Sequence, residues 1–310
     1  MPRHISFVFP GQGSQSLGMI DNIDNSLINQ YRPIVESSLD FDLLDIVMNG
    51  PVEKLNQSSI TQPAVLLTSY LLYQDLMNSM DIKPDIICGH SLGEYTALVV
   101  GNSLELEEAL KLVYKRGLLM EECLEGSMYA ILNCELETIS KFCEEVSKKS
   151  NMVVSPANIN SPNQTVIAGN IDAVGEVVTL LNNHGVKRCI KLQVSVASHC
   201  ELMSEAAIKF KNYIGMINLK MPDIKLIHNY NAKTSNDIDE LKLNMINQLI
   251  HPVQWAKTME YLHKKNSIVI ECGPSKVLSG IAKSNNITDI ISTSMDNYVD
   301  KLKDLIWAIM

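Results

Sequence analysis

Asp85-Ile86-Ile87-Cys88-Gly89-His90-Ser91-Leu92-Gly93-Glu94-Tyr95-Thr96-Ala97-Leu98-Val99-Val100 is the stretch on which the reading of this chain turns. Its centre, Gly89-His90-Ser91-Leu92-Gly93, fits Gly-x-Ser-x-Gly, the nucleophile elbow. The apolar run Ile86 to Cys88 predicts a short buried strand, and Glu94 to Val100 predicts the start of a helix. A sharp strand-to-helix turn holds a serine hydroxyl clear of the backbone, and flanking glycines remove side chains that would clash. Ordinary serine–glycine turns share the same three fixed positions. The strand before and the helix after are what favour a nucleophile here.

Outward from the elbow, the early chain alternates strand and helix signals. Ile5 to Phe9 predicts a strand ending at Pro10, followed by the glycine-rich loop Gly11-Gln12-Gly13-Ser14-Gln15. Gln62 to Met80 predicts a helix with Pro63 in its first turn, and Ser103 stands where it would cap a helix beginning near Leu104. Short apolar strands separated by helices predict a mostly parallel sheet covered on both faces. The texture changes near Gly126. Strands at Met128–Leu132, Met152–Asn158, Gln164–Ala168 and Arg188–Gln193 are expected, with helices at Glu135–Ser147 and Asp172–Asn183. Strand, helix, two strands, helix, strand is the pattern of a ferredoxin-like α+β unit. The α/β texture then resumes, with strands expected at Ile224–Asn229 and Ile268–Glu271. The expected fold class is therefore α/β: a large domain over residues 1–126 and 195–310, with a small ferredoxin-like domain inserted at 127–194.

Composition narrows the function classes. The chain has 310 residues, 46% hydrophobic and 20% charged, an ordinary globular balance. No apolar run reaches the roughly 18 residues of a membrane span. The first residues pass directly into a strand-like run rather than a signal peptide. Seven cysteines without a Cys-x-x-Cys pair fit reduced thiols and a cytoplasmic location. The net charge of −9 disfavours non-specific nucleic-acid binding. Monomer is the default expectation.

A neutral serine needs a base, and histidine is the default. His4, His90, His184 and His263 read as structural or surface residues. His228 ends a strand and could approach a cleft. His199 and His251 are the better candidates, His199 because it follows the small-domain segment and precedes a helix. The acid of a full triad cannot be picked; a backbone carbonyl would orient the imidazole equally well. Acyl transfer also needs donors for the tetrahedral oxygen. Leu92 N–H directly follows the serine, and a second donor is expected from Gly11-Gln12-Gly13. Arginine is rare, confined to Arg3, Arg32, Arg116 and Arg188. Arg116, on the packed side of a helix, can fork onto a carboxylate, either a structural Asp or Glu or one carried by a substrate.

Together these segments resemble the malonyl-CoA:acyl-carrier-protein transacylases of bacterial fatty-acid synthesis and their polyketide-synthase acyltransferase relatives. The resemblance spans nearly the whole chain. It is anchored by Phe7-Val8-Phe9-Pro10-Gly11-Gln12-Gly13-Ser14-Gln15, Thr61-Gln62-Pro63-Ala64, the elbow, Arg116-Gly117, Asn160-Ser161-Pro162, Val166-Ile167-Ala168-Gly169, Ser198-His199, Pro252-Val253-Gln254-Trp255 and Gly273-Pro274. It implies a hydrolase-like large domain, with Ser91 as the acylated nucleophile and His199 as its base. Gln12 and Leu92 would supply backbone N–H groups, and Arg116 would hold a malonyl carboxylate. The Gln254 carbonyl would orient His199, while Gln62, Ala197 and Ser198 would line the pocket. It further implies a coenzyme A thioester substrate, a transient acyl carrier protein partner, and no bound cofactor or metal. Ala197 stands where bacterial members commonly have proline, and Tyr129 where a small residue is usual. Both bear on malonyl against methylmalonyl selection. A polyketide trans-acting acyltransferase and a thioester hydrolase using the same serine are the alternatives. Lys187, Arg188 and Lys191, or Lys276 and Lys283, are candidate docking patches for an acidic carrier.

Overall fold

Alternation within short apolar runs sets the architecture. In Ile5–Phe9 the side chains of Phe7 and Phe9 leave one face and Val8 the other, and all three are fully buried. A strand apolar on both faces needs cover on both, which a parallel sheet between helical layers supplies. The computed structural model describes residues 3–194 and 196–307. Its strands are β1 (Ile5–Phe9), β2 (Ile86–Gly89), β3 (Ser127–Leu132), β4 (Val154–Ser161), β5 (Gln164–Gly169), β6 (Arg188–Lys191), β7 (Lys225–Ile227), β8 (Ile268–Glu271) and β9 (Ile290–Ser292).

The fold is α/β with two sheets. The larger has the order β7-β2-β1-β8-β9, every neighbouring pair parallel. Phe7, Phe9, Ile87, Leu226 and Ile270 pack into one apolar layer, and Val8, Cys88, Ile227 and Val269 into the other. The smaller sheet has the order β4-β5-β3-β6 and is antiparallel throughout. Helices Leu136–Ser150 and Ile171–Asn183 cover one of its faces through Ile131, Val154 and Ile167. The chain reaches and leaves this unit side by side, Glu125 bridging antiparallel to Val196. A second tie joins β4 to the large unit: Ile159 N–H donates to the Val253 carbonyl and Val253 N–H to that of Ala157, both at 2.9 Å. Residue 195, where the return to the large domain is expected, lies outside the described residues, as do 1–2 and 308–310. No helix among the described residues is long and apolar enough to cross a membrane.

Two local signals are overridden by distant partners. The long helix expected from Gln62 begins at Ser58, a turn earlier, and Pro63 lies inside it. Glu121, from another helix, accepts the Ser59 N–H at 2.8 Å and the Ser59 hydroxyl at 3.2 Å, so this first turn is capped by tertiary contact. Ser103 does not cap the next helix, which starts at Leu106; its hydroxyl donates instead to the Lys220 carbonyl. Parallel pairing sends the C-terminal ends of β1, β2 and β7 to one edge of the sheet. The Gln12 loop, the elbow and the His228-Asn229 segment therefore meet there.

Candidate active site

Only His90, Ser91 and Leu92 separate β2 from the helix Gly93–Val100. The glycines permit this by close approach. A Cβ on Gly89 would stand 2.0 Å from the Gly93 carbonyl carbon, and one on Gly93 2.0 Å from the Phe9 carbonyl oxygen. The positive φ falls on Ser91 itself, at 51°, a conformation that costs a non-glycine residue energy unless its surroundings enforce it. Two side-chain amides enforce it. Asn229 Oδ1 accepts the Ser91 N–H at 2.9 Å, and Gln248 Nε2 donates to the Ser91 carbonyl at 3.1 Å.

Behind Asn229 lies a closed polar network. Asn229 Nδ2 donates to the Gly89 carbonyl at 2.6 Å and to Glu94 Oε2. The Glu94 carboxylate also accepts the Asn229 backbone N–H at 2.7 Å and His228 Nδ1–H at 2.8 Å. Ser235 Oγ meets the other His228 ring nitrogen at 2.7 Å. Burial pushes the Glu94 carboxyl up, but the neighbouring His228 and the hydrogen bonds from His228 and Asn229 hold it below the usual carboxylate range.

The base is His199. Its Nε2 lies 2.8 Å from Ser91 Oγ, and its Nδ1 lies 2.6 Å from the Gln248 carbonyl oxygen. A carbonyl only accepts, so Nδ1 carries the proton and Nε2 is free to receive one from serine. This corrects the orienting residue: the carbonyl is that of Gln248, not Gln254. The Gln254 carbonyl begins the helix Trp255–Lys264 and accepts the Thr258 N–H at 3.0 Å. The His199 pKa is pulled down to about 3, first by burial and second by the Arg116 charge, against the opposing pull of the Gln248 carbonyl.

Arg116 is 1% exposed. One terminal nitrogen donates to Gln62 Oε1 at 2.8 Å and the other to Gln248 Oε1 at 3.0 Å. Its Cζ lies 5.4 Å from the centroid of the Tyr95 ring, and its Nε has no partner. Among the described residues no carboxylate pairs with it, which removes the structural Asp or Glu considered for that role. Burial draws its pKa down, with Tyr95 and the more distant Glu94 opposing.

Ser91, His199 and Arg116 border one cavity of about 770 Å³, together with Gln12, Leu92, Met128 and Ser198. Among the described residues neither the Gln12 nor the Leu92 N–H is engaged by another group. Two expected lining residues stand back from this space. Gln62 is wholly buried beneath Arg116, its Nε2 donating to Met120 Sδ at 3.4 Å. Ala197 is wholly buried and fills the space beside Gly126, where an added Cβ would come within 2.5 Å of its own. Tyr129 is also remote: β3 alternates, so Met128 faces the cavity while Tyr129 packs with the helices on the opposite face. His90 borders the cavity but its Nε2 meets Asn160 Oδ1 at 2.9 Å rather than the serine. His251 packs on Tyr230, and His228 serves the network under the elbow.

Three participants escape sequence reasoning. Glu94 leaves a trace, being an acidic residue in an otherwise uncharged helix after the elbow. Asn229 and Gln248 leave none, because their partners lie 138 and 157 positions away.

The acyl transferase domain family matches residues 6–286. The malonyl CoA-acyl carrier protein transacylase of Escherichia coli K12 is 38% identical over 298 residues, covering 94% of this chain and 95% of its own length. The solved structure of FabD from Acinetobacter baumannii has a TM-score of 0.94 at 37% identity, covering 99% of this chain and all of that one (100%). A malonyl-transacylase solved in complex with its type II PKS acyl-carrier protein has a TM-score of 0.91 at 33% identity, covering 98% and 99%. The chain belongs to the acyl transferase domain family and, within it, to the bacterial malonyl-CoA:acyl carrier protein transacylases.

Proposed function

We propose that this protein moves a malonyl group from coenzyme A to the phosphopantetheine thiol of acyl carrier protein, in fatty-acid biosynthesis, through an acyl-serine intermediate. The observation that carries the reading is a buried guanidinium without a carboxylate partner, in the same cavity as a serine–histidine pair. A buried cation left without an anion is costly, and a substrate carboxylate supplies the anion.

Ser91 Oγ attacks the thioester carbonyl while its proton passes to His199 Nε2. The tetrahedral oxyanion lies against the N–H groups of Gln12 and Leu92. As the carbon–sulfur bond breaks, the Nε2 proton goes to the leaving sulfur, releasing coenzyme A as a thiol. The carrier's thiol then gives its proton to Nε2 and attacks the malonyl-serine ester, and Ser91 Oγ recovers the proton on leaving. Arg116 holds the malonyl carboxylate throughout. Malonyl is favoured over methylmalonyl, with Met128 Sδ and Ser198 Oγ, 3.6 Å apart, forming the nearby wall. The protein acts in the cytoplasm as a monomer, and the exposed patch Lys187, Arg188 and Lys191 docks the acidic carrier, since Lys191 borders the cavity and Lys276 and Lys283 do not.

Intact-mass spectrometry tests the scheme. Malonyl-CoA should leave a malonyl adduct on the wild-type protein, holo-carrier should remove it as malonyl-carrier, and Ser91→Ala should show no adduct. An undiminished adduct in Ser91→Ala, or recovery only of free malonate with carrier present, defeats it.

A further inference from the structure

A buried guanidinium is ordinarily met by a carboxylate. Arg116 is met by two amides. Gln62 and Gln248, 0% and 1% exposed, each turn a side-chain oxygen to one of its terminal nitrogens. The opposite end of each amide is anchored elsewhere, Gln62 Nε2 on Met120 Sδ and Gln248 Nε2 on the Ser91 carbonyl. These second contacts fix which atom of each amide faces the arginine. Tyr95 supplies a π face beneath. Dipoles and a quadrupole thus set the position and plane of the guanidinium, and nothing touching it carries the negative charge that would cancel its own.

We propose that Gln62 and Gln248 are specificity-positioning residues: they fix Arg116 with neutral acceptors, so that its charge is kept for an acyl group that ends in a carboxylate. This rests on the reading that Arg116 receives the malonyl carboxylate. Replacing either amide by a carboxylate keeps the shape and adds a full charge. The new anion would close an ion pair with Arg116 and repel the incoming carboxylate. Gln62→Glu is the cleaner change, because it gives up only an N–H···S contact. Gln248→Glu also gives up the hydrogen bond to the Ser91 carbonyl.

The measurement is the rate of Ser91 acylation by malonyl-CoA and by acetyl-CoA, which carries a neutral acyl group, with the ratio of the two as readout. Gln62→Glu should lower the malonyl-to-acetyl ratio about 100-fold, the scale of a lost buried charge pairing. A residue with only a structural role would slow both acyl groups alike and leave the ratio unchanged. A wild-type ratio in Gln62→Glu that retains its native circular dichroism overturns the proposal. Gln62→Leu removes the acceptor and adds no charge, so it should keep a clear malonyl preference. A collapse as deep as that of Gln62→Glu would overturn the charge argument. Should Gln62→Glu not fold, Gln248→Glu set against Gln62→Leu makes the same comparison. Arg116→Met separates the two levels. A collapsed ratio there with an intact ratio in Gln62→Glu defeats only the role of the amides, whereas an intact ratio in Arg116→Met defeats the reading beneath it.

Discussion

Glu94 and Arg116 stand on neighbouring helices beside the elbow, each 1% exposed, and their surroundings are opposite. Glu94 is saturated: its oxygens accept a backbone N–H, a side-chain amide and an imidazole N–H. Arg116 is left open, with two neutral oxygens, a ring face and an unpartnered Nε. Burial alone does not tell a scaffold charge from a receptor charge. What distinguishes them is whether the fold itself completes the pairing.

The largest expected effect breaks the closed centre. Glu94→Ala strands the His228 Nδ1–H and two Asn229 donors in the interior and should cost about 4 kcal/mol of stability in urea unfolding. Arg116→Met should cost less. It leaves the buried Gln62 and Gln248 oxygens without a donor but also removes an uncompensated buried cation, and the two largely offset, for a net loss of no more than about 2 kcal/mol. Its kcat/KM for malonyl-CoA should nevertheless fall more than about 100-fold, roughly 3 kcal/mol of transition-state stabilisation. If Arg116→Met unfolds as readily as Glu94→Ala, the two sites are alike and the contrast fails.

Asn229 joins the closed centre to Ser91, so it sharpens the comparison. Asn229→Ala removes the acceptor of the Ser91 N–H and the donor to the Gly89 carbonyl. Loss of buried hydrogen bonds of this kind is worth about 2 kcal/mol. Stopped-flow acylation should slow by tens-fold while the KM for malonyl-CoA stays close to wild type. A raised KM with an unchanged acylation rate would assign Asn229 to substrate binding instead.

How much of this the sequence reveals follows from where each constraint originates. The elbow was legible because its constraint is local: strand, tight turn and helix are contiguous, and the glycines at 89 and 93 answer clashes within five residues. The small unit was legible because its strand and helix periods alternate in chain order and pair with near neighbours. His199 was legible as one candidate among several, through its position after that unit. Gln248 was not, although it touches Ser91, His199 and Arg116 at once, because nothing in Asn247-Gln248-Leu249 signals a shared junction. The resemblance instead pointed to Gln254, six residues on, whose carbonyl is committed to a helix. The capping of Ser58–Ser79 by Glu121 was hidden for the same reason: its partner comes from another helix.

Exposed cations give a weaker form of the same contrast. Lys187, Arg188 and Lys191 lie open to solvent, and Lys191 borders the cavity, whereas Lys276 and Lys283 are exposed and do not border it. Reversing the charge of the first three should raise the KM for carrier protein about tenfold, more at low salt, and leave the malonyl-CoA half-reaction unaltered. The same reversal at Lys276 and Lys283 should do neither. Equal effects from both patches would remove the distinction.

The smallest effect is a shift in a pH profile, and it tests whether the open charge is felt by His199. His199 sits at about 3, with burial the first cause and Arg116 the second. This folded value lies below the unfolded one of about 6.5. The stability contributed by the neutral imidazole is therefore complete above about pH 6.5 and is lost as the pH falls toward the folded value. In the proposed role of base His199 must be neutral to act, so kcat/KM for malonyl-CoA should be level from about pH 8 to about pH 5. Arg116→Met removes one of the two main lowering causes, and the acid limb should move to higher pH. Glu94 is not among the causes, so Glu94→Ala should leave the limb in place wherever that variant stays folded. A bound malonyl carboxylate compensates Arg116 and acts in the same direction as its removal. The kcat limb, which reports the occupied site, should therefore lie above the kcat/KM limb in wild type. Coincident limbs in wild type would mean that Arg116 keeps its full influence on His199 when substrate is bound, which an ion pair with the substrate does not allow.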